Sequence, residues 1–229
     1  MFVAAAGRYA SPMTDATRLL LAIAAVVAAV DWWAAESGRA RLEAVAKPAV
    51  IVLLMGVALT LTATSELARG LVIAALICSL VGDVALLRPT VATLFAVGLA
   101  AFLVAHLGYI GAMILDVGDA SGGLLLALVA AAIVAIGGWR VGWRIIGAVR
   151  AARPELATPV GAYIAVISLM VVAAWATGRP LAILGSLAFY ASDSLLGWDR
   201  FVRPLSHRSL LVMSTYHLGQ ALLVLSLAG

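Results

Sequence analysis

Eight apolar runs, each close to the length that crosses a bilayer, follow one another along this chain with short polar breaks between them. They lie approximately at Thr17–Ala35, Ala44–Thr62, Leu71–Leu87, Val91–Leu115, Gly122–Gly138, Ala157–Thr177, Leu181–Gly197 and Arg208–Leu227. A transmembrane helix needs about 20 predominantly apolar residues. Backbone polar groups with no partner in hydrocarbon exclude any open alternative. The pattern therefore predicts an all-α, polytopic transmembrane helical bundle of about eight spans, a single transmembrane domain over residues 1–229. The breaks after Glu36, Ser65, Arg88, Asp116 and Arg179 carry the Gly, Pro, Ser and charged residues that punctuate helices. Only Trp139–Pro154 is longer, and it reads as a loop. No internal repeat is evident.

Composition closes off the soluble classes. The chain is 65% hydrophobic and 11% charged, against about 25% charged in an ordinary soluble domain. Its net charge of +4 does not point to nucleic acid, because the arginines stand between apolar runs rather than on one basic stripe. The single cysteine, Cys78, excludes an intramolecular disulfide and reads as a small buried thiol. The first run has the outline of a signal peptide. Asp31, Trp32 and Trp33 follow it directly, however, and paired tryptophans suit a headgroup anchor, so a retained helix is expected with Asp31 at the interface.

Orientation follows from Lys and Arg. With eight spans, the odd-numbered loops hold 11 of the 15 basic residues, from Arg39 and Arg41 to Arg203 and Arg208, and the other side holds Arg8, Arg18, Arg69 and Arg179. The basic side is expected to be cytoplasmic. Both termini are then extracytoplasmic.

Ionisable groups within spans cost about 2.5–3.5 kcal/mol each at the bilayer centre and mark function. Lys47 opens the second run. Ser79 and Asp83, at i,i+4, lie near the end of the third. His106 and Tyr109 lie in the fourth at i,i+3, Tyr163 and Ser168 in the sixth, and Tyr190, Ser192 and Asp193 at the close of the seventh. Tyr216, His217 and Gln220 lie in the eighth. Helical spacing puts each pair on one face. Depth at 1.5 Å per residue puts Asp83 and Asp193 roughly 6 Å inside the basic ends of their helices and Lys47 at the edge. One polar cleft in the cytoplasmic half is expected. Plainer readings stand beside this one: Lys47 snorkelling to headgroups, Asp193 paired with Arg200 or Arg203, His106 and the tyrosines as packing residues, His207 solvated in a loop.

Taken together, these residues resemble the YhhN/TMEM86 family of lysoplasmalogenases. The resemblance is carried by Lys47-Pro48, Gly82-Asp83 with Leu86, Phe102 with His106 and Tyr109, Ser192-Asp193 with Phe201, and Tyr216 with Gln220. His217 departs from it, standing where a second aromatic is expected. The resemblance implies a membrane-embedded hydrolase that cleaves the vinyl ether of lysoplasmalogen-type lysophospholipids, giving a fatty aldehyde and a glycerophospho-alcohol. A vinyl ether hydrolyses by protonation of its β-carbon, so the site needs an acid and a carboxylate. Asp83 and Asp193 are expected to divide those roles, as carboxylate pairs do in glycosidases by analogy of mechanism alone. His106 and Tyr109 would orient the water or the acid. Tyr190, Ser192, Tyr216 and Gln220 would shape the cleft, and Lys47 would hold the phosphate at the membrane edge. The scheme requires no cofactor and no metal. Its partners are a lysophospholipid and membrane lipids, with no nucleic acid, and its place is the cell membrane as a multi-pass protein. Two alternatives remain: a metal-dependent intramembrane lipid hydrolase using His106, His207 and His217 with the aspartates, and a small proton-coupled transporter.

Overall fold

The fold is a helical bundle, seen in a computed structural model that describes residues 13–88, 90–115 and 120–228. The described helices are α1 (Asp15–Glu36), α2 (Ala40–Thr60), α3 (Glu66–Leu86), α4 (Ala92–Ile114), α5 (Ala120–Ile133), α6 (Trp139–Ala152), α7 (Ala157–Ala176), α8 (Pro180–Phe201) and α9 (Arg208–Leu225). Local chemistry sets their ends. Thr14 caps α1 by accepting from the Thr17 amide at 3.1 Å, and Ser65 caps α3 by accepting from the Ala68 amide at 3.2 Å. Gly38 and Gly178 take the left-handed backbone, φ +68° and +67°, that ends α1 and α7. The Arg88–Pro89 and Asp116–Gly123 breaks, and Arg8, fall wholly or partly outside the described residues.

Among the described residues, seven helices are long and apolar enough to cross a bilayer. A bent pair, Gly122–Ile136 with Trp139–Ala152 at 46°, brings the number to eight if it is one span. A π-helical turn, Val134–Gly138, joins α5 to α6. Residues 120–138 would alone extend about 28 Å, close to the hydrocarbon thickness of roughly 30 Å. The segment Trp139–Pro154 is therefore not a loop. It is largely helix α6, whose buried Gly142, Ile145 and Val149 recur at i,i+3,i+7. Its arginines lie on the opposite, exposed side.

The bundle's two ends are tied differently. At one, Thr17 donates to Thr60 at 3.0 Å, the Thr64 amide to Leu227 O at 3.0 Å, and Arg179 to Ser226 O at 2.9 Å. The start of α1 and the end of α9 thus lie together, as an even number of crossings requires. At the other end His207 meets Glu36 at 2.6 Å. This second end collects the arginine-rich connections.

Helices in lipid gain nothing by hiding apolar surface from one another, so close backbone approach holds them instead. Two pairs are locked this way. A Cβ at Gly82 would stand 2.6 Å from the Phe102 ring and one at Gly98 2.7 Å from Leu86, which joins α3 to α4. A Cβ at Gly185 would stand 2.9 Å from the Leu223 amide and one at Gly219 2.9 Å from the Phe189 amide, which joins α8 to α9. Phe189, Leu54, Leu76 and Met170 are wholly enclosed between helices. Leu59 and Leu125, 63% and 65% exposed, point outward as lipid-facing residues do.

Candidate functional site

The two locked pairs carry the buried carboxylate of Asp83 and the partly buried one of Asp193 to one cavity. Asp83, one turn before the end of α3, and Asp193 on α8 both line it, together with Lys47, Tyr163, Tyr190 and Tyr216. The space between the helices, counted with the open solvent at its mouth, is about 960 Å³. Ser192, Ser194 and Arg200 also reach it, and the rest of its wall is apolar, with Leu86, Leu99, Phe102, Val160, Ile164 and Ile167.

Each carboxylate has its own tyrosine. Tyr216 donates its hydroxyl to Asp83 Oδ2 at 2.7 Å, and Tyr163 donates to Asp193 Oδ2 at 2.5 Å. Lys47 Nζ lies 3.2 Å from Asp83 Oδ1, and both side chains are almost wholly buried, at 9% and 1% exposure. His106 Nε2 stands 3.7 Å from Asp193 Oδ2, too long for a hydrogen bond. The aromatic rings connect the two centres. Tyr216 meets Phe189 edge to face at 5.4 Å, Phe189 meets His106 at 4.7 Å, and His106 meets Tyr163 at 5.3 Å.

Several expectations need correction. Lys47 is not at the end of its helix. Helix α2 begins at Ala40, four residues before the apolar run, which places Lys47 about 10 Å inside it. Its ammonium faces Asp83 rather than the headgroup layer. Asp193 is deeper than expected, about 12 Å from the end of α8, because Trp198–Phe201 continues the helix past the apolar run. It contacts Tyr163 and His106, while Asp199 pairs with Arg208 at 3.4 Å. Tyr109 and Gln220 do not line the cavity. Tyr109 donates to Gln220 Oε1, and Gln220 Nε2 donates to Ser79 Oγ at 2.9 Å, a buried polar knot one turn deeper that ties α3, α4 and α9. Ser192 lines the cavity but donates its hydroxyl to Val212 O at 3.0 Å. Tyr190 lines it, with its hydroxyl against Gly138 in the α5–α6 turn. His106 stands behind Asp193 rather than at the surface of the cavity.

The three histidines do not meet. His106 is beside Asp193, His207 pairs with Glu36 at the surface, and His217 accepts the Trp32 indole N–H at 3.0 Å. Among the described residues no group of three His, Cys, Asp or Glu side chains is arranged to hold a metal ion. His217 also stacks on Trp32 and so turns away from the floor of the cavity. Sequence reasoning missed Asp31. It is wholly buried, neither carboxylate oxygen has a hydrogen-bond partner, and Lys47 and Asp83 are among its electrostatic neighbours. It also gave Tyr163 no role.

Comparison with known families matches residues 42–227 to the YhhN family. The chain belongs to the YhhN family. The matched stretch holds Lys47, Asp83, His106, Tyr163, Asp193 and Tyr216, and leaves Asp31 outside. Among curated proteins the chain is similar to the human lysoplasmalogenase TMEM86B, 36% identical over 152 residues, or 66% of this chain and 61% of that protein. It is similar to the pig lysoplasmalogenase TMEM86B, 36% identical over 154 residues, or 67% and 62% of the two chains. It is also similar to the lysoplasmalogenase of Mycobacterium tuberculosis, 34% identical over 170 residues, or 72% and 62%. The matched segments thus span about three fifths of each relative's length. No solved structure shows significant similarity to this YhhN chain.

Proposed function

We propose that this YhhN protein is a membrane-embedded ether hydrolase that cleaves the vinyl ether of a lysoplasmalogen, releasing a fatty aldehyde and a glycerophospho-alcohol. The observation that carries the reading is the pair of aspartates, each with a tyrosine hydroxyl donor, facing one largely apolar cavity. The lysoplasmalogenase relatives support the substrate class. The arginine-rich end supports a cytoplasmic opening and a multi-pass place in the cell membrane.

The environments of the two carboxylates divide the chemistry. Asp83 sits against the Lys47 ammonium and accepts from Tyr216, the surroundings of a carboxylate anion. Asp193 has a phenol and an imidazole beside it. Asp193 delivers a proton to the vinylic β-carbon, and the C=C electron pair forms the new C–H bond. The resulting oxocarbenium ion is stabilised by the Asp83 carboxylate. Water adds to the cationic carbon and gives up a proton, and the hemiacetal collapses by breaking the C–O bond to the glycerol. One water is consumed and the catalytic proton is returned. The apolar wall holds the alkenyl chain.

Purified protein incubated with lysoplasmalogen is the test, with free aldehyde as the readout. Asp83→Asn and Asp193→Asn keep the shape and one acceptor oxygen but cannot cycle a proton. Turnover should fall by about 10²–10⁴-fold in each, the usual worth of general acid–base participation; Asp193→Asn should stay folded, while Asp83→Asn leaves Lys47 without its counter-charge and should also melt earlier. Near-full aldehyde release from a folded Asp193→Asn variant would refute the paired-acid mechanism.

A further inference from the structure

Lys47 is committed to Asp83, so a phosphate must find its cation elsewhere. Helix α8 shows where. Tyr190, Asp193, Ser194, Gly197, Arg200 and Phe201 all line the cavity, the i,i+3,i+4,i+7 stripe of one helical face. Arg200 is seven residues beyond Asp193, about 10 Å along the axis and on the same side. Its guanidinium lies 3.7 Å over the Phe95 ring, another cavity residue, near the end of the helix. Two further arginines act on it electrostatically: Arg153 after α6 and Arg208 at the start of α9. The neighbouring acid, Asp199, is shared between Arg208 at 3.4 Å and the Leu205 amide at 2.9 Å. Arg200, at one end of the cavity, thus has two cations from other segments in its electrostatic surroundings, while Asp199 is taken up by Arg208 and the Leu205 amide. Low-dielectric walls concentrate such a field on an incoming anion, and the planar guanidinium fork matches phosphate oxygens.

The spacing fits a phospholipid. Seven bonds separate phosphorus from the vinylic β-carbon of a lysoplasmalogen, about 8 Å at the roughly 1.2 Å per bond of an extended chain. That is close to the interval from Arg200 to Asp193. We propose that Arg200, flanked by Arg153 and Arg208, is the anion subsite that holds the substrate phosphate at the cavity mouth and so sets the register of the vinyl ether on Asp193. The proposal rests on the ether-hydrolase reading above and names its headgroup contact.

The test compares wild type with Arg200→Gln on two substrates, a lysoplasmalogen and a 1-alkenylglycerol that lacks the phosphate. Arg200→Gln should raise KM for the lysoplasmalogen by about 10–100-fold with little change in kcat, because the contact persists from ground to transition state. It should leave the 1-alkenylglycerol within about twofold. Glycerophosphoethanolamine should inhibit wild type competitively and lose that effect in the variant. Inorganic phosphate acting equally well would show a site that reads phosphate alone. Equal loss on both substrates, or no loss on either, overturns the proposal. If wild type releases no aldehyde from either substrate, the reaction is misread. The subsite is then judged separately by the thermal shift that glycerophosphoethanolamine gives in wild type, which Arg200→Gln must abolish. Should Arg200→Gln fail to fold, the exposed Arg153→Gln is expected to show the same substrate contrast in smaller measure, and its absence counts against the proposal.

Discussion

Replacing Lys47 with Met should destabilise the protein far more than a lipid-facing lysine would. Lys47 and Asp83 are 3.2 Å apart, with side chains 9% and 1% exposed, and water cannot take over the role of either. Removing one member of such a pair leaves the other charge uncompensated, at a cost of about 3–5 kcal/mol. For a chain of this size each kcal/mol moves Tm by about 2–4 °C, so Lys47→Met should melt roughly 6–20 °C early. The double variant Lys47→Met/Asp83→Leu removes both charges and fills the space with apolar atoms. It should recover most of that loss, since buried pairs replaced by packed hydrophobic residues are close to neutral. The assay is thermal unfolding of the purified proteins in detergent, run as a double-mutant cycle. The Asp83→Leu arm is expected to be inactive, so aldehyde release cannot stand in for the melting curve. A Lys47→Met variant that melts within about 2 °C of wild type would show that Lys47 does not neutralise Asp83. It would also return the ammonium to the headgroup role that its place near the start of the second apolar run suggests.

Tyr163→Phe removes the hydroxyl that donates to Asp193 at 2.5 Å. A hydrogen bond to a charged group is worth about 1.5–3 kcal/mol, so a loss of about 10–100-fold in kcat is expected from steady-state aldehyde release, with KM little changed. Gly219→Ala puts a Cβ 2.9 Å from the Phe189 amide; overpacking of this kind costs about 1–3 kcal/mol, and separating two backbones places the effect at the upper end, read as an earlier Tm. A fusion reporter near Arg150 should read cytoplasmic, and one at the C-terminus should read extracytoplasmic. A cytoplasmic C-terminus would overturn the orientation.

The spans were legible because eight apolar runs have no other stable home. The pairing of Asp83 with Tyr216 was within reach, since both stood at helical spacing from other polar groups in runs that should hold none. What sequence hid was depth and company. The first turn of α2, Ala40–Glu43, is too polar to join an apolar run, so Lys47 looked peripheral although helix precedes it by seven residues. The arginines of α6 looked like a loop because charge density masked the apolar face of Gly142, Ile145 and Val149. Asp31 sat beside two tryptophans and read as interface; packing of α1 on α2 and α9 buries it, and no local pattern reports that. Tyr163 was a lone polar residue whose partner lies 30 positions away.

Phe189 sits at 0% exposure between the two acid centres, edge-on to Tyr216 on one side and His106 on the other. Its amide also lies against Gly219, so the ring cannot slide along α9. It works as a gauge block: its width holds apart Tyr216 and His106, the side chains beside the two carboxylates. Leu at this position would let Tyr216 and His106 close together, and Trp would force them apart, with no polar atom altered. The spacing of the side chains beside Asp83 and Asp193 is therefore held by an apolar ring.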